Sequence, residues 1–248
     1  MTADLLDDAR QFLAVSLRGK RSDFETRHPW RKEWEFAILH SLRVEAYTLK
    51  ILRREQHLLS EAEIRLLRLA AILHDIARMD DRDRHAESGA QIAADWLQSR
   101  PGHPLNAGDI ERVTAMIANH SDKSQSDSDY CQSVLKDADT LDEIGALSVF
   151  MAANWLDHQS PFFFHNLRQR LIEIELPFCD RKFSLLNTAG GRAILLEKKA
   201  FIERFIAQLA DELEMEEELV LMRKVLDDTQ GEKVWKSLLA RTSKGSQG

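Results

Sequence analysis

Four of the nine histidines, His40, His74, His85 and His120, fall on helix-patterned stretches whose inward positions are otherwise apolar. Aspartates share those settings: Asp75 follows His74 directly in "LHDIA", and Asp137, Asp139 and Asp142 punctuate "KDADTLDEIGA". A single histidine of this kind reads as a hydrogen-bonded core residue. Adding the acids changes the reading, because burying so many ionisable groups is costly unless they are paired or hold a cation. Imidazole nitrogens and carboxylate oxygens together suit borderline-to-hard divalent ions and leave coordination positions open to water. Successive helical residues point about 100° apart. His74 and Asp75 can therefore share one ion only by straddling it from a helix end, with other helices converging there. His28, His57 and His103 read as loop residues, and His158 and His165, which flank "QSPFFF", as structural ones.

The elements that must position these groups are helices. Gly and Pro number only 10 and 5, and no stretch alternates apolar and polar residues over strand length between turn residues, so the fold class is all-α. The spacing predicts helices over residues 3–17, 31–54, 85–98, 130–158, 163–174 and 188–217, with a short closing helix up to Leu239. Another begins at Ser60, where Glu63 completes a capping-box pattern. Ile64, Leu67, Ala71 and His74 then share one face, which delivers His74 at the end of a buried stripe. Asn106 or Asp109 starts the helix that carries Val113, Ile117 and His120. "SDKSQSDSD", residues 121–129, reads as a polar loop, and the acidic residues 210–218 as a solvated surface. With no repeat or linker, the expected organisation is a single domain over residues 1–248. Its core spans about residues 31–160 and a C-terminal helical extension about residues 161–240.

Composition bounds the function. With 44% hydrophobic and 30% charged residues the chain is globular, and a formal net charge of −7 argues against a general nucleic-acid surface, which needs clustered Lys and Arg. Two cysteines in no C-x-x-C spacing indicate neither a disulfide framework nor a cysteine-based zinc site. Acids stand near the N-terminus where a signal peptide needs positive charge, and no run approaches the roughly 18 apolar residues of a membrane span. The expectation is a cytoplasmic protein with no membrane partner. The apolar run 162–164 beside Pro161 is either core or the face of a homodimer.

The order of His40 in "HSLRV", His74 and Asp75 in "LHDIA" and Asp139 in "KDADTLDEIGA" resembles the H…HD…D pattern of the HD-domain metal-dependent phosphohydrolases, whose ligands sit on separate helices. "RHAESGAQIA", "IANHS" and "NTAGGRAILLEKKAFIERFIAQL" are similar to stretches around and after that motif in small bacterial HD hydrolases, so the resemblance covers residues 31–213. It implies an HD-domain helical bundle in which His40, His74, Asp75 and Asp139 hold a divalent ion: Mn, Mg, Co, Ni, Fe or Zn. Asp139 is preferred to Asp137 because the family's last ligand usually falls second in an Ala-Asp pair. Asp137 becomes a candidate for supporting a ligand. Asp142, on nearly the same face as Asp139, either orients a ligand or caps a polar edge. The central motif departs from the H-D-x-x-E-D of (p)ppGpp hydrolases, with Arg78 and Met79 where Glu and Asp would stand, and the Gly-Tyr-Pro signature of cyclic-di-GMP phosphodiesterases is absent.

The resemblance makes Asp75, His85 and His120 the candidate catalytic residues. His85 and His120 would contact the substrate phosphate, assist proton transfer or hold a second ion. Arg43 and Arg78 follow His40 and His74 by about one turn, and Lys136 precedes Asp139 by three residues; each could clamp phosphate oxygens. The expected function is hydrolysis of a small phosphorylated metabolite, above all a nucleotide, by a phosphatase or pyrophosphatase. The alternatives are a two-metal phosphodiesterase or nuclease, and a non-catalytic module that senses nucleotides.

Overall fold

Helix starts are local decisions, and in this chain they are written in side chains. A computed structural model describes residues 4–24, 27–100, 105–123, 129–214 and Met222. The expected closing helix, His103, the centre of the 121–129 loop and the end of the acidic stretch lie outside these residues. Ten α-helices are present among them: α1 (Leu5–Leu17), α2 (Trp34–Leu52), α3 (Glu61–Leu73), α4 (His85–Ser99), α5 (Ala107–Asn119), α6 (Tyr130–Asp142), α7 (Ala146–Ala153), α8 (Phe163–Arg170), α9 (Leu176–Leu185) and α10 (Ala189–Glu212). The fold is all-α; one isolated bridge, Arg21 with Glu33, is the extent of extended pairing among the described residues. Ser60 and Glu63 form a reciprocal capping box, Asn106 and Asp109 form another, and Asp4, Asp129 and Thr188 each accept a backbone N–H at a helix start.

Helix α3 is the centre. It packs against α1, α2, α5 and α6, and Leu66, Leu67 and every residue from Leu69 to Leu73 are buried. The spacing predicted one buried stripe; contact on several sides buries nearly the whole circumference. Helix α2 lies between α3 and α6, α4 covers α5, and α10 reaches across α2, α6, α7, α8 and α9.

Two predicted helices are corrected. The expected continuous helix over 130–158 is broken after Asp142, because Gly145 adopts φ +92° and starts α7 in a new direction. That backbone region costs glycine little and other residues a great deal. The helix expected over 163–174 runs on to Leu185, through a π-helical turn at Leu171–Glu175. Pro177, having no N–H, cannot continue the regular ladder, and the register shifts just ahead of it. The apolar run at 162–164 is divided: Phe163 packs on the core while Phe164 is 56% exposed. No described helix is long and apolar enough to cross a membrane.

Candidate metal centre

The helices bring their histidines together at their ends. His74 caps the C-terminus of α3, His120 caps that of α5, His85 opens α4, and His40 and Asp139 project from within α2 and α6. Three imidazoles are held by the backbone three residues earlier: His74 Nδ1 lies 2.8 Å from the Ala71 carbonyl, His85 Nδ1 2.7 Å from that of Arg82, and His120 Nδ1 2.7 Å from that of Ile117. A carbonyl only accepts, so Nδ1 carries the proton and each Nε2 presents a lone pair. In α5 the Ile117 carbonyl also accepts the His120 backbone N–H at 3.4 Å, so backbone and ring are held by the same group. His40 is held differently, donating from Nδ1 to Asp142 Oδ2 at 2.8 Å.

Asp75 divides the four imidazoles into two pairs. Its Oδ2 is 3.5 Å from His40 Nε2 and 3.8 Å from His74 Nε2. Its Oδ1 is 3.3 Å from His85 Nε2 and 3.4 Å from His120 Nε2. Asp139 Oδ1 joins the first pair, 3.2 Å from His40 and 3.8 Å from His74. Within each pair the Nε2 atoms are 3.2 Å apart. In three groupings, His40–His74–Asp75, His74–His120–Asp139 and Asp75–His85–His120, the ligand atoms lie within 4.8 Å of one another. Lone pairs aimed at one another across such distances repel unless a proton or a cation lies between, and the imidazole–carboxylate set fits a divalent ion.

The electrostatics follow the same division. Burial lowers His74 to about 4. Burial works on His40 too, but hydrogen bonds to Asp139 and Asp142 outweigh it and raise its imidazole to about 10. Without an ion, therefore, a proton on His40 stabilises the cluster. Burial opposes ionisation of Asp75 and Asp139 as well. The charges of surrounding imidazoles, with Lys123 beside Asp139, hold both well below the usual carboxylate range. His85 is lowered by burial.

The remaining predicted residues take varied positions. Arg78 faces the site, its Nη1 3.3 Å from both ring nitrogens of His85. Arg43 does not line the cavity; its guanidinium is engaged by Asp142, Nε to Oδ1 at 2.7 Å and Nη2 to Oδ2 at 2.9 Å. Asp142 thus connects Arg43 to His40. Asp137 points away and anchors the start of α10, accepting from the Thr188 N–H at 2.8 Å, the Thr188 hydroxyl at 2.7 Å and the Asn187 N–H at 2.9 Å. Lys136 is buried in α6 and does not line the cavity. On an α-helix, residues three before and one turn after a ligand share its side only roughly, which is why periodicity alone misplaces Arg43 and Lys136.

Lys123 was not singled out by the sequence reading, yet its Nζ lies 2.5 Å from Asp139 Oδ2 and 2.6 Å from the His120 carbonyl. Its spacing three residues after His120 is the signal that could have found it. The cluster forms the floor of a cavity of about 850 Å³, whose walls carry Arg27, Arg31, Arg82, Arg170 and Lys182, with Phe24, Phe36, Trp155 and Phe178 between them. With Arg78 and Lys123, seven cationic side chains line the cavity against the four carboxylates of Asp75, Asp139, Glu143 and Glu175, a balance suited to a small anionic ligand with an apolar part.

Residues 38–144 match the HD domain family. No curated protein matches the chain. Solved structures share its fold: a predicted HD superfamily hydrolase from an uncultured Thermotogales bacterium (22% identity, TM-score 0.54, covering 84% of this chain and 92% of that one) is one. An HD-superfamily hydrolase from Bacillus thuringiensis (20%, 0.57, 84% and 96%) and Bacillus subtilis YpgQ, solved in complex with ADP (20%, 0.54, 84% and 94%), are others. The matched segment contains His40, His74, Asp75, His85, His120 and Asp139 alike, so residues 38–144 form an HD domain that carries the whole cluster.

Proposed function

We propose that the chain is a cytoplasmic, divalent-metal-dependent phosphohydrolase acting on nucleotides, cleaving a phosphate or pyrophosphate group. The carrying observation is Asp75, whose two oxygens face two imidazole pairs on the floor of a cation-lined cavity. His40, His74, Asp75 and Asp139 would hold one ion, and Asp75, His85 and His120 a second. A bound ion would supply charge neutralisation at phosphorus and a more acidic water. The protein's own part is to bind and orient. Arg78, Lys123 and Lys182 are placed at the cavity wall to take phosphate oxygens. The backbone-held imidazoles keep their Nε2 atoms aimed without reorganisation, and the aromatic walls offer contact for an apolar nucleoside. That a fold neighbour was solved with ADP agrees with this choice of ligand. Both cysteines are unpaired and buried, in keeping with a reducing compartment.

The pairing of His85 with His120 also favours a second reading, a two-metal phosphodiesterase. One panel separates the readings: phosphate release from nucleoside mono-, di- and triphosphates, a phosphomonoester and a phosphodiester, with Mn²⁺, Mg²⁺, Co²⁺ or Ni²⁺ added. Metal-dependent turnover of nucleotides that Asp75→Asn and Asp139→Asn abolish supports the proposal. Turnover confined to the diester selects the second reading, and nucleotide binding without any turnover selects a sensing module.

A further inference from the structure

Arg170 and Glu175 face the cavity from the far end of the helical run that carries Lys182. That run is interrupted by the π-helical turn Leu171–Glu175, a feature that re-aims side chains and recurs at functional sites. From its last residue onward, Glu175, Phe178 and Lys182 follow at steps of three and four, the spacing of one helix face, and all three line the cavity. Lys182 is the member nearest the metal ligands: burial lowers its ammonium, and Lys123 and Asp139 act on it electrostatically. At 1.5 Å per residue Glu175 lies about 10 Å further along the axis, the span from a nucleotide's phosphate to the far edge of its base.

The polar groups at that remote end are unmatched. Arg170 Nε is buried and has no hydrogen-bond partner. Arg170 Nη2 stands 4.0 Å from Glu175 Oε1, too far for a hydrogen bond, and the Glu175 side chain is only 14% exposed. No other described residue bonds the Glu175 carboxyl; burial pushes it up and Arg170 offsets this only in part. A desolvated donor left unpaired, as Arg170 Nε is, is costly, and the Glu175 oxygens beside it stay open to the cavity without a protein donor. A ligand offering the complementary pattern would recover that cost. Beside them the Trp155 ring, 48% exposed, lies under the Arg170 guanidinium at 5.3 Å.

We propose that Arg170 and Glu175 read a guanine base: the Glu175 carboxylate accepts from the N1–H and the 2-amino group, the Arg170 guanidinium donates to O6, and Phe178 and Trp155 cover the base and sugar. Guanine sets two adjacent donors next to an acceptor along one edge. Adenine instead turns the N1 lone pair toward the carboxylate. The assignment rests on the nucleotide reading above and narrows it to one base.

Titration calorimetry with the non-hydrolysable α,β-methylene analogues of GDP and ADP, in the presence of Mn²⁺, tests it on the full chain. The guanosine analogue binds roughly tenfold or more tightly than the adenosine analogue, as expected where buried polar groups demand a partner. In Glu175→Gln the ratio collapses, the guanosine analogue losing affinity and the adenosine analogue losing none. If that variant fails to fold, Arg170→Gln reads the same ratio. Equal affinities in the wild type, binding of neither analogue, or equal weakening of both in the variants overturns the assignment. Phosphate release measured in parallel separates the two ideas. Base preference without turnover sinks the hydrolase reading alone, and turnover without preference sinks the guanine assignment alone.

Discussion

Arg43 reaches the histidine–aspartate cluster through Asp142: it holds one carboxylate oxygen at 2.7 Å and the other at 2.9 Å, and that second oxygen takes the His40 Nδ1 proton at 2.8 Å. A carboxylate gripped by a guanidinium has a fixed orientation, so the His40 ring is aimed from behind. Arg43→Ala and Asp142→Asn are expected to weaken Mn²⁺ binding about 10- to 100-fold, with Arg43→Lys recovering part of the loss. Calorimetric titration with Mn²⁺, alongside a thermal melt to verify folding, measures this. Unchanged affinity in both variants would mean that His40 needs no such support.

Asp137 does structural work that Asp139, two residues on, does not. It accepts several hydrogen bonds from Asn187 and Thr188 where α10 begins, and a Cβ on Gly191 would stand 2.7 Å from both Asp137 Oδ2 and Thr188 Oγ1. Gly191→Ala and Asp137→Ala are each expected to cost about 3 kcal/mol of stability in urea unfolding, from broken buried hydrogen bonds. Turnover per folded molecule at low temperature should stay within a few-fold of wild type. A turnover loss with wild-type stability would instead place Asp137 in the chemistry.

Lys198 gives the fold a pH dependence of defined sign. Its Nζ donates to the Ile144 carbonyl at 2.7 Å, and burial lowers its ammonium from 10.5 to about 8. Between those values the unfolded chain binds a proton that the folded chain has released, so Lys198 makes stability rise as pH increases through that window. The difference in melting temperature between wild type and Lys198→Met should therefore shift in favour of wild type from pH 7.5 to pH 10. Taking the difference cancels the other titrating groups. A flat difference would contradict the burial argument.

What the sequence disclosed and what it withheld divide along the range of the interactions. Ser60 with Glu63 and Asn106 with Asp109 are legible because a cap needs only four residues. His74 at the end of α3 is legible because burial repeats with the helical period. Asp137 and Asp139 look equivalent in "DAD" until Thr188, some fifty residues later, arrives to take one of them. Arg43 sits one turn after His40, and periodicity places it near the ligand without revealing that Asp142 will occupy it. The cavity wall from Arg170 to Lys182 was the least legible part. Its shape depends on a register shift at Leu171–Glu175, and the helix Leu176–Leu185 that follows was not anticipated.

The central claim is that Asp75 joins two ion sites on which phosphate release depends. Its most direct test counts Mn²⁺ ions per chain by elemental analysis after equilibrium dialysis, for wild type, His85→Ala/His120→Ala and Asp75→Asn, with nucleotide turnover measured on the same samples. The account predicts two ions in the wild type, one in the double variant, and loss of tight binding and turnover in Asp75→Asn. Full metal content and full turnover in Asp75→Asn would contradict it.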